Sequence, residues 1–182
     1  MTGVRHPFQR LSPAQRRIVF CGFLAATLIM SVVLKVQGRS LRTSAAPLGI
    51  LSFEFAGTPA KARMIIESWA DVRFVACWNL FLDFPYLVFY STTIGLACVW
   101  AGEKTQSRGR TLASFGIWLA WGQWLAGGLD TIENAALLLI LRGFIGAPWP
   151  QLAWSCALVK FSIIALGTVY VILGCFSRHL GR

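Results

Sequence analysis

Four long apolar runs alternate with polar segments along the chain. They cover residues 18–36, 74–100, 112–141 and 152–175. At about 1.5 Å per residue, each run is long enough to cross roughly 30 Å of hydrocarbon. An unpaired backbone polar group is costly in lipid, so apolar runs of this length are expected to be helical. The pattern predicts an all-α fold, an integral membrane four-helix bundle forming a single membrane domain over residues 1–182. "SPAQRR" (12–17) supplies a helix start, with Ser12 as N-cap and Pro13 at the first helical position. The run that follows exceeds the roughly 7–15 residues of a signal-peptide core, and no small-residue cleavage motif follows it directly. It therefore reads as an anchor.

The only long polar connection is residues 37–73. Within it, "GTPAKARMIIESW" (57–69) has Thr58 as N-cap and Pro59 at the first helical position, predicting a short helix over about 59–70. Ala62, Ile65, Ile66 and Trp69 share one face of that helix. It either lies at the membrane surface as an amphipathic interfacial helix or packs as a lid on the bundle. Pro85 is expected to kink the second span.

Polar residues recur inside the spans at helical spacing. Asn79, Asp83, Tyr86, Tyr90 and Thr93 fall on one face of the second span, and Gln123, Gly127, Asp130 and Asn134 on one face of the third, with Glu133 on its flank. Cys156, Lys160, Ile164 and Gly167 share a face of the fourth. Lipid offers no hydrogen-bond partners, so such stripes should turn towards protein.

Composition agrees. Of 182 residues, 56% are hydrophobic and 13% charged, against about 25% charged in soluble domains. Mean hydropathy is +0.63. The net charge of +10 would suggest nucleic acid in a soluble chain, but here the basic residues gather at span ends, where they orient a membrane protein. Nucleic-acid binding is therefore set aside. The five cysteines form no C-x-x-C pair and read as small core residues. His6 and His179 lie outside the spans, so paired haem ligation within the bundle is excluded and no zinc ligand set is evident. Neither a cofactor nor a metal site is predicted.

Basic residues also give an orientation. Arg5, Arg10, Arg16, Arg17, Lys104, Arg108, Arg110, Arg178 and Arg182 make nine on one side; Arg39, Arg42, Lys61, Arg63, Arg73 and Arg142 make six on the other. The positive-inside rule then places both termini in the cytoplasm of a bacterial inner membrane. With that alternation Asp83, Lys160, Asp130 and Glu133 lie roughly 14, 12, 16 and 12 Å below the outer ends of their spans. Thr27 and Ser31 on the first span come to a similar depth. A charge at mid-membrane costs about 2.5–3.5 kcal/mol or more. Three acids against Lys160 cannot all ionise in low dielectric, so a bound proton or a bound cation has to balance them. The alternative is a purely structural network that fixes helix register. Of the tryptophans, Trp69, Trp100 and Trp149 read as interfacial anchors. For Trp78, Trp118, Trp121, Trp124 and Trp154 two places are open, the lining of a pocket and, as the commoner fate, core packing.

The succession of "FEFAGTPAKA" (53–62), "LDFPY" (82–86) and "LDTIENAALL" (129–138) resembles a set of short, uncharacterised bacterial four-span membrane proteins, over roughly residues 53–160. The resemblance implies the four-span fold and no activity. In outline the chain also resembles membrane sterol isomerases, in which acids and aromatics of a helical bundle stabilise a cationic intermediate; no motif transfers roles from them.

No G-x-S-x-G, Walker loop or prenyl-transferase D-x-x-x-D pair is present. The expected site is an acid-lined polar pocket of Asp83, Asp130 and Glu133 with Lys160 as counter-charge and Asn79, Asn134, Tyr86 and Tyr90 as hydrogen-bonders. It would bind, transport or sense a cationic or lipid-like small molecule. Two other functions stay open: a membrane enzyme using a protonated carboxyl as general acid on a lipid or isoprenoid, its catalytic residues unknown, and an accessory subunit of a membrane complex. Lipids are the expected partners, with a cation or small-molecule ligand, a second copy or a complex partner beside them.

Overall fold

The computed structural model describes residues 5–105 and 110–176. Six α-helices follow in order: α1 (Pro13–Gln37), α2 (Ile50–Glu54), α3 (Pro59–Ser68), α4 (Arg73–Thr105), α5 (Arg110–Leu141) and α6 (Trp149–Phe176). Short 3-10 turns occupy Pro7–Arg10 and Gly38–Leu41. No strand occurs among the described residues. α1, α4, α5 and α6 contain the four predicted runs, and each is long and apolar enough to cross a membrane. The chain is thus an all-helical multi-pass membrane protein.

The predicted helix starts are present. Ser12 Oγ accepts from Gln15 N at 3.3 Å while Gln15 Oε1 accepts from Ser12 N at 2.9 Å, a reciprocal cap that satisfies two otherwise unpaired donors. Thr58 Oγ1 accepts from Lys61 N at 3.3 Å, with Pro59 opening α3. Gly57, just before it, has φ +68 and lies against Trp154, a backbone conformation that side chains with a Cβ rarely adopt. α4 continues as a helix through Pro85.

The described chain divides into two compact units. Each of the four long helices gives one stretch to each unit. The first comprises Met1–Thr27, Val88–Gly127 and Phe161–Arg182. Its core holds Phe8, Leu96, Cys98, Val99, Leu119, Ala120 and Tyr170. Here the start of α1 meets the end of α4, where Arg16 donates to both oxygens of Glu103 at 2.6 and 2.7 Å. Glycines let the helices approach closely: a Cβ on Gly116 would come within 2.9 Å of the Cys98 carbonyl and 2.6 Å of the Tyr170 hydroxyl.

The second unit comprises Leu28–Leu87 and Gly128–Lys160. Here the connecting segment is not a loose loop. Leu41, Phe53, Ile65, Ile66 and Trp69 form one core with Ala76 and Leu80 of α4, Leu137 and Ile140 of α5, and Ala153 of α6. α3 therefore turns its apolar face onto protein, as a lid would, and leaves Met64 exposed. Trp69 corrects the expectation of a headgroup anchor. It is fully buried, edge-on to Phe53 at 5.4 Å, and its indole N–H is bonded to the Leu41 carbonyl at 2.7 Å. Conversely Trp78, Trp118, Trp121 and Trp154, whose commoner fate would be core packing, are exposed on the protein surface. In a membrane protein that surface meets hydrocarbon, so outward aromatics carry no penalty.

α1 buries no residue. In this unit it is held by polar contacts: Ser31 Oγ donates to the Tyr86 hydroxyl at 3.2 Å, and Gln37 Nε2 to the Val75 carbonyl at 2.8 Å.

Candidate functional site

Asp130, Glu133 and Asn134 occupy positions i, i+3 and i+4 of α5, which a 3.6-residue turn puts on one side of the helix. All three are buried, and that side meets Lys160 of α6. The Lys160 ammonium donates to Asp130 Oδ1 at 2.5 Å and to Glu133 Oε1 at 3.0 Å, with Glu133 Oε2 at 2.9 Å. From α4, Asp83 accepts from Asn134 Nδ2 at 2.8 Å. Five of the predicted residues, Asp83, Asp130, Glu133, Asn134 and Lys160, thus meet in one cluster.

A fourth acid joins them. Glu54, at the end of α2, places Oε2 3.6 Å from the Lys160 ammonium, and its carboxyl lies within hydrogen-bonding reach of Glu133. Sequence periodicity had no means of finding it, because it sits in the connecting segment outside any span. One local signal existed: Glu54 stands alone between two phenylalanines in "LSFEFA" (51–56), an apolar setting in which an ionised group needs a partner. Burial pushes the Glu54 carboxyl above the usual carboxylate range and Asp130 pushes in the same direction, while Lys160 and Glu133 work against the rise.

The remaining predicted residues lie elsewhere. Asn79 is buried but bonds to α1, donating to the Leu34 carbonyl at 3.1 Å and to Gln37 Oε1 at 2.6 Å. Tyr86 meets Ser31. Tyr90 belongs to the other unit. All three spaced correctly as a stripe, yet a helix face wide enough to hold five residues meets more than one neighbour.

Glu54, Asp83, Asp130 and Glu133 are four carboxyls around one ammonium, an excess of three negative charges if all ionise. Three buried acceptors in the cluster, Glu54 Oε2, Glu133 Oε2 and Asn134 Oδ1, also have no hydrogen-bond donor, the two carboxylate oxygens meeting Lys160 only as ion pairs at 3.6 and 2.9 Å. Buried acceptors normally find donors, so the cluster has room, electrostatically, for added positive charge. That charge can be protons or a cation from outside. A metal ion is a poor fit, since no group of three or more His, Cys, Asp or Glu among the described residues could hold one. A groove of about 350 Å³ lined by Phe74, Cys77, Trp78 and Phe81 lies on α4 and is wholly apolar.

The first unit also buries polar groups, His6 and Gln123 among them. His6 stacks among Phe8, Trp121 and Trp124 at centroid distances of 4.6 to 4.8 Å, and burial lowers its pKa to about 4. Gln123 donates to the Ile163 carbonyl at 3.0 Å. Comparison with known protein families, with curated proteins and with solved structures finds no match to the chain, so the chemistry of the site has to be argued from its own residues.

Proposed function

We propose that this chain is a four-helix-bundle protein of a bacterial inner membrane, with both ends in the cytoplasm, that binds a small cationic molecule at the Glu54–Asp83–Asp130–Glu133 cluster in order to transport or sense it. α3 lies at the outer interface in this reading and closes that end of the bundle. The observation that carries it is the imbalance of the buried cluster: four carboxyls, one ammonium, and buried acceptor atoms left without donors. Intramembrane ionisable residues are expensive, and function is their usual reason. An organic ammonium bearing N–H groups suits the site, because it is a singly charged group that can donate to the unpartnered acceptor oxygens.

The test is thermal unfolding of the full chain in neutral detergent, with and without methylammonium. The cation should raise the unfolding temperature of the wild-type chain, and the rise should vanish in Asp130→Asn and Glu133→Gln. No rise, or the same rise in both variants, overturns the proposal. Variants that lose stability while the wild-type chain ignores the cation would assign the acids a purely structural role in a larger complex.

One observation favours a second reading, an enzyme using a carboxyl as general acid. Glu54 and Glu133 lie within hydrogen-bonding reach of each other, and carboxyls that close share a proton that can be donated. Conversion of a lipid or isoprenoid by the purified chain, lost in Glu133→Gln, would support it; inertness towards such substrates would remove it.

A further inference from the structure

We infer that the cluster selects a primary ammonium over other monovalent cations by hydrogen bonding, and that the amide of Asn134 is the residue that sets this choice. The inference rests on the cation-site reading above and adds to it the residue that tells one cation from another.

Carboxylates attract any monovalent cation, so Glu54, Asp83, Asp130 and Glu133 give the cluster its sign but little selectivity. Asn134 is uncharged. It follows Glu133 on α5, one turn beyond Asp130, and is fully buried. Its Nδ2 donates to Asp83 Oδ2 at 2.8 Å. A carboxylate only accepts, so this bond fixes which arm of the amide faces Asp83 and turns Oδ1 the other way. Oδ1 is buried and has no donor. A buried acceptor left in that state is costly, and the cost is relieved by a ligand that brings a donor.

Two more buried acceptors of the same cluster lack donors, Glu54 Oε2 and Glu133 Oε2, which lie 3.6 and 2.9 Å from the Lys160 ammonium. The unmet acceptors are thus three, and a primary ammonium carries three N–H donors. The cluster already holds a group of that kind: the Lys160 ammonium donates to Asp130 Oδ1 and Glu133 Oε1. Other monovalent cations fit less well. A quaternary ammonium has no N–H and would leave all three oxygens without donors. An alkali-metal ion needs a shell of oxygen ligands, and no group of three or more His, Cys, Asp or Glu among the described residues could hold a metal ion. A site built to hydrogen-bond an N–H rejects an analogue that lacks it, because its buried polar groups then stay unpaired.

Titration calorimetry of the full chain in neutral detergent tests this, with methylammonium and rubidium as the probe cations. Rubidium carries the same charge, is the smaller of the two and has no N–H, so a preference for methylammonium is not a matter of size. The wild-type chain should bind methylammonium at least about tenfold more tightly than rubidium. Asn134→Leu should reduce that ratio about fivefold or more. Asn79→Leu, at a buried amide that bonds to α1 outside the cluster, should leave it unchanged. The ratio is the readout because a merely structural loss weakens both cations alike. If Asn134→Leu does not fold, Asp83→Asn keeps the Asn134 amide but lets the two amides pair in either orientation, and it should lower the ratio as well. Equal affinity for the two cations in the wild-type chain overturns the inference and leaves the cation site standing. A preference for methylammonium untouched by changes at Asn134 and Asp83 overturns the role of Asn134. Failure of both cations to bind overturns the inference and the cation site together.

Discussion

Replacing Lys160 by methionine removes the only ammonium from a buried cluster while keeping most of the side chain's volume. At 2.5, 2.9 and 3.6 Å, attraction to Asp130, Glu133 and Glu54 is worth about 7, 6 and 5 kcal/mol in turn at an effective dielectric of 20. Much of that is offset by the desolvation of each ion, and carboxyls deprived of the lysine respond by taking up protons. The net cost expected is therefore that of breaking a buried pair, about 3–5 kcal/mol. The partners can be separated by double-mutant cycles, measured by reversible unfolding in mixed detergent micelles. Lys160→Met combined with Asp130→Asn should recover part of the loss, because the orphaned carboxylate is removed too. Glu133→Gln should recover nearly as much and Glu54→Gln less, following the distances. Asp83→Asn should couple least, since its direct partner is Asn134. Additivity within about 0.5 kcal/mol for Lys160 with each of Asp130, Glu133 and Glu54 would refute the existence of one electrostatic unit.

Asn134→Leu should cost about 1.5–3 kcal/mol by stripping the donor from Asp83, and pairing it with Asp83→Asn should reduce the cost; equal losses in the single and double variants would count against the contact. Gly116→Ala should destabilise by about 1–3 kcal/mol, because the Cys98 carbonyl in its path is backbone and cannot swing aside; an unchanged unfolding temperature would contradict that packing. His6 has a folded pKa lowered from 6.5 to about 4, so the folded state binds fewer protons than the unfolded one. Its contribution is complete above pH 6.5 and lost as pH falls towards 4, and the His6→Gln variant should lack that part of the acid destabilisation when unfolding is followed against pH. Cysteine labelling should reach Lys104→Cys from the cytoplasm and Met64→Cys from the opposite side; the reverse pattern would invert the orientation.

Length and polarity of the elements were legible along the chain because hydrocarbon imposes a local rule. Every residue of a span must be helical and mostly apolar, so Ile18–Val36 or Leu152–Cys175 declare themselves without knowledge of any neighbour. Caps are local in the same way, and Ser12 and Thr58 were readable three residues at a time. The meeting of Asp130, Glu133 and Lys160 was half legible: helical spacing and equal depth made them candidates, and their cost in lipid required partners. Which partners they found was settled by tertiary structure. Asn79 and Tyr86, on the same stripe as Asp83, turned to α1, because a stripe records only that a face avoids lipid and not which helix it meets. Glu54 joined the cluster through the folding of the connecting segment around Phe53 and Trp69, a set of contacts between residues far apart in sequence. No periodicity marks such a contact. The sequence alone therefore determined that the chain spans and where acid would be costly; only the packing of the connecting segment decided how many carboxyls surround Lys160, and so how unbalanced the site is.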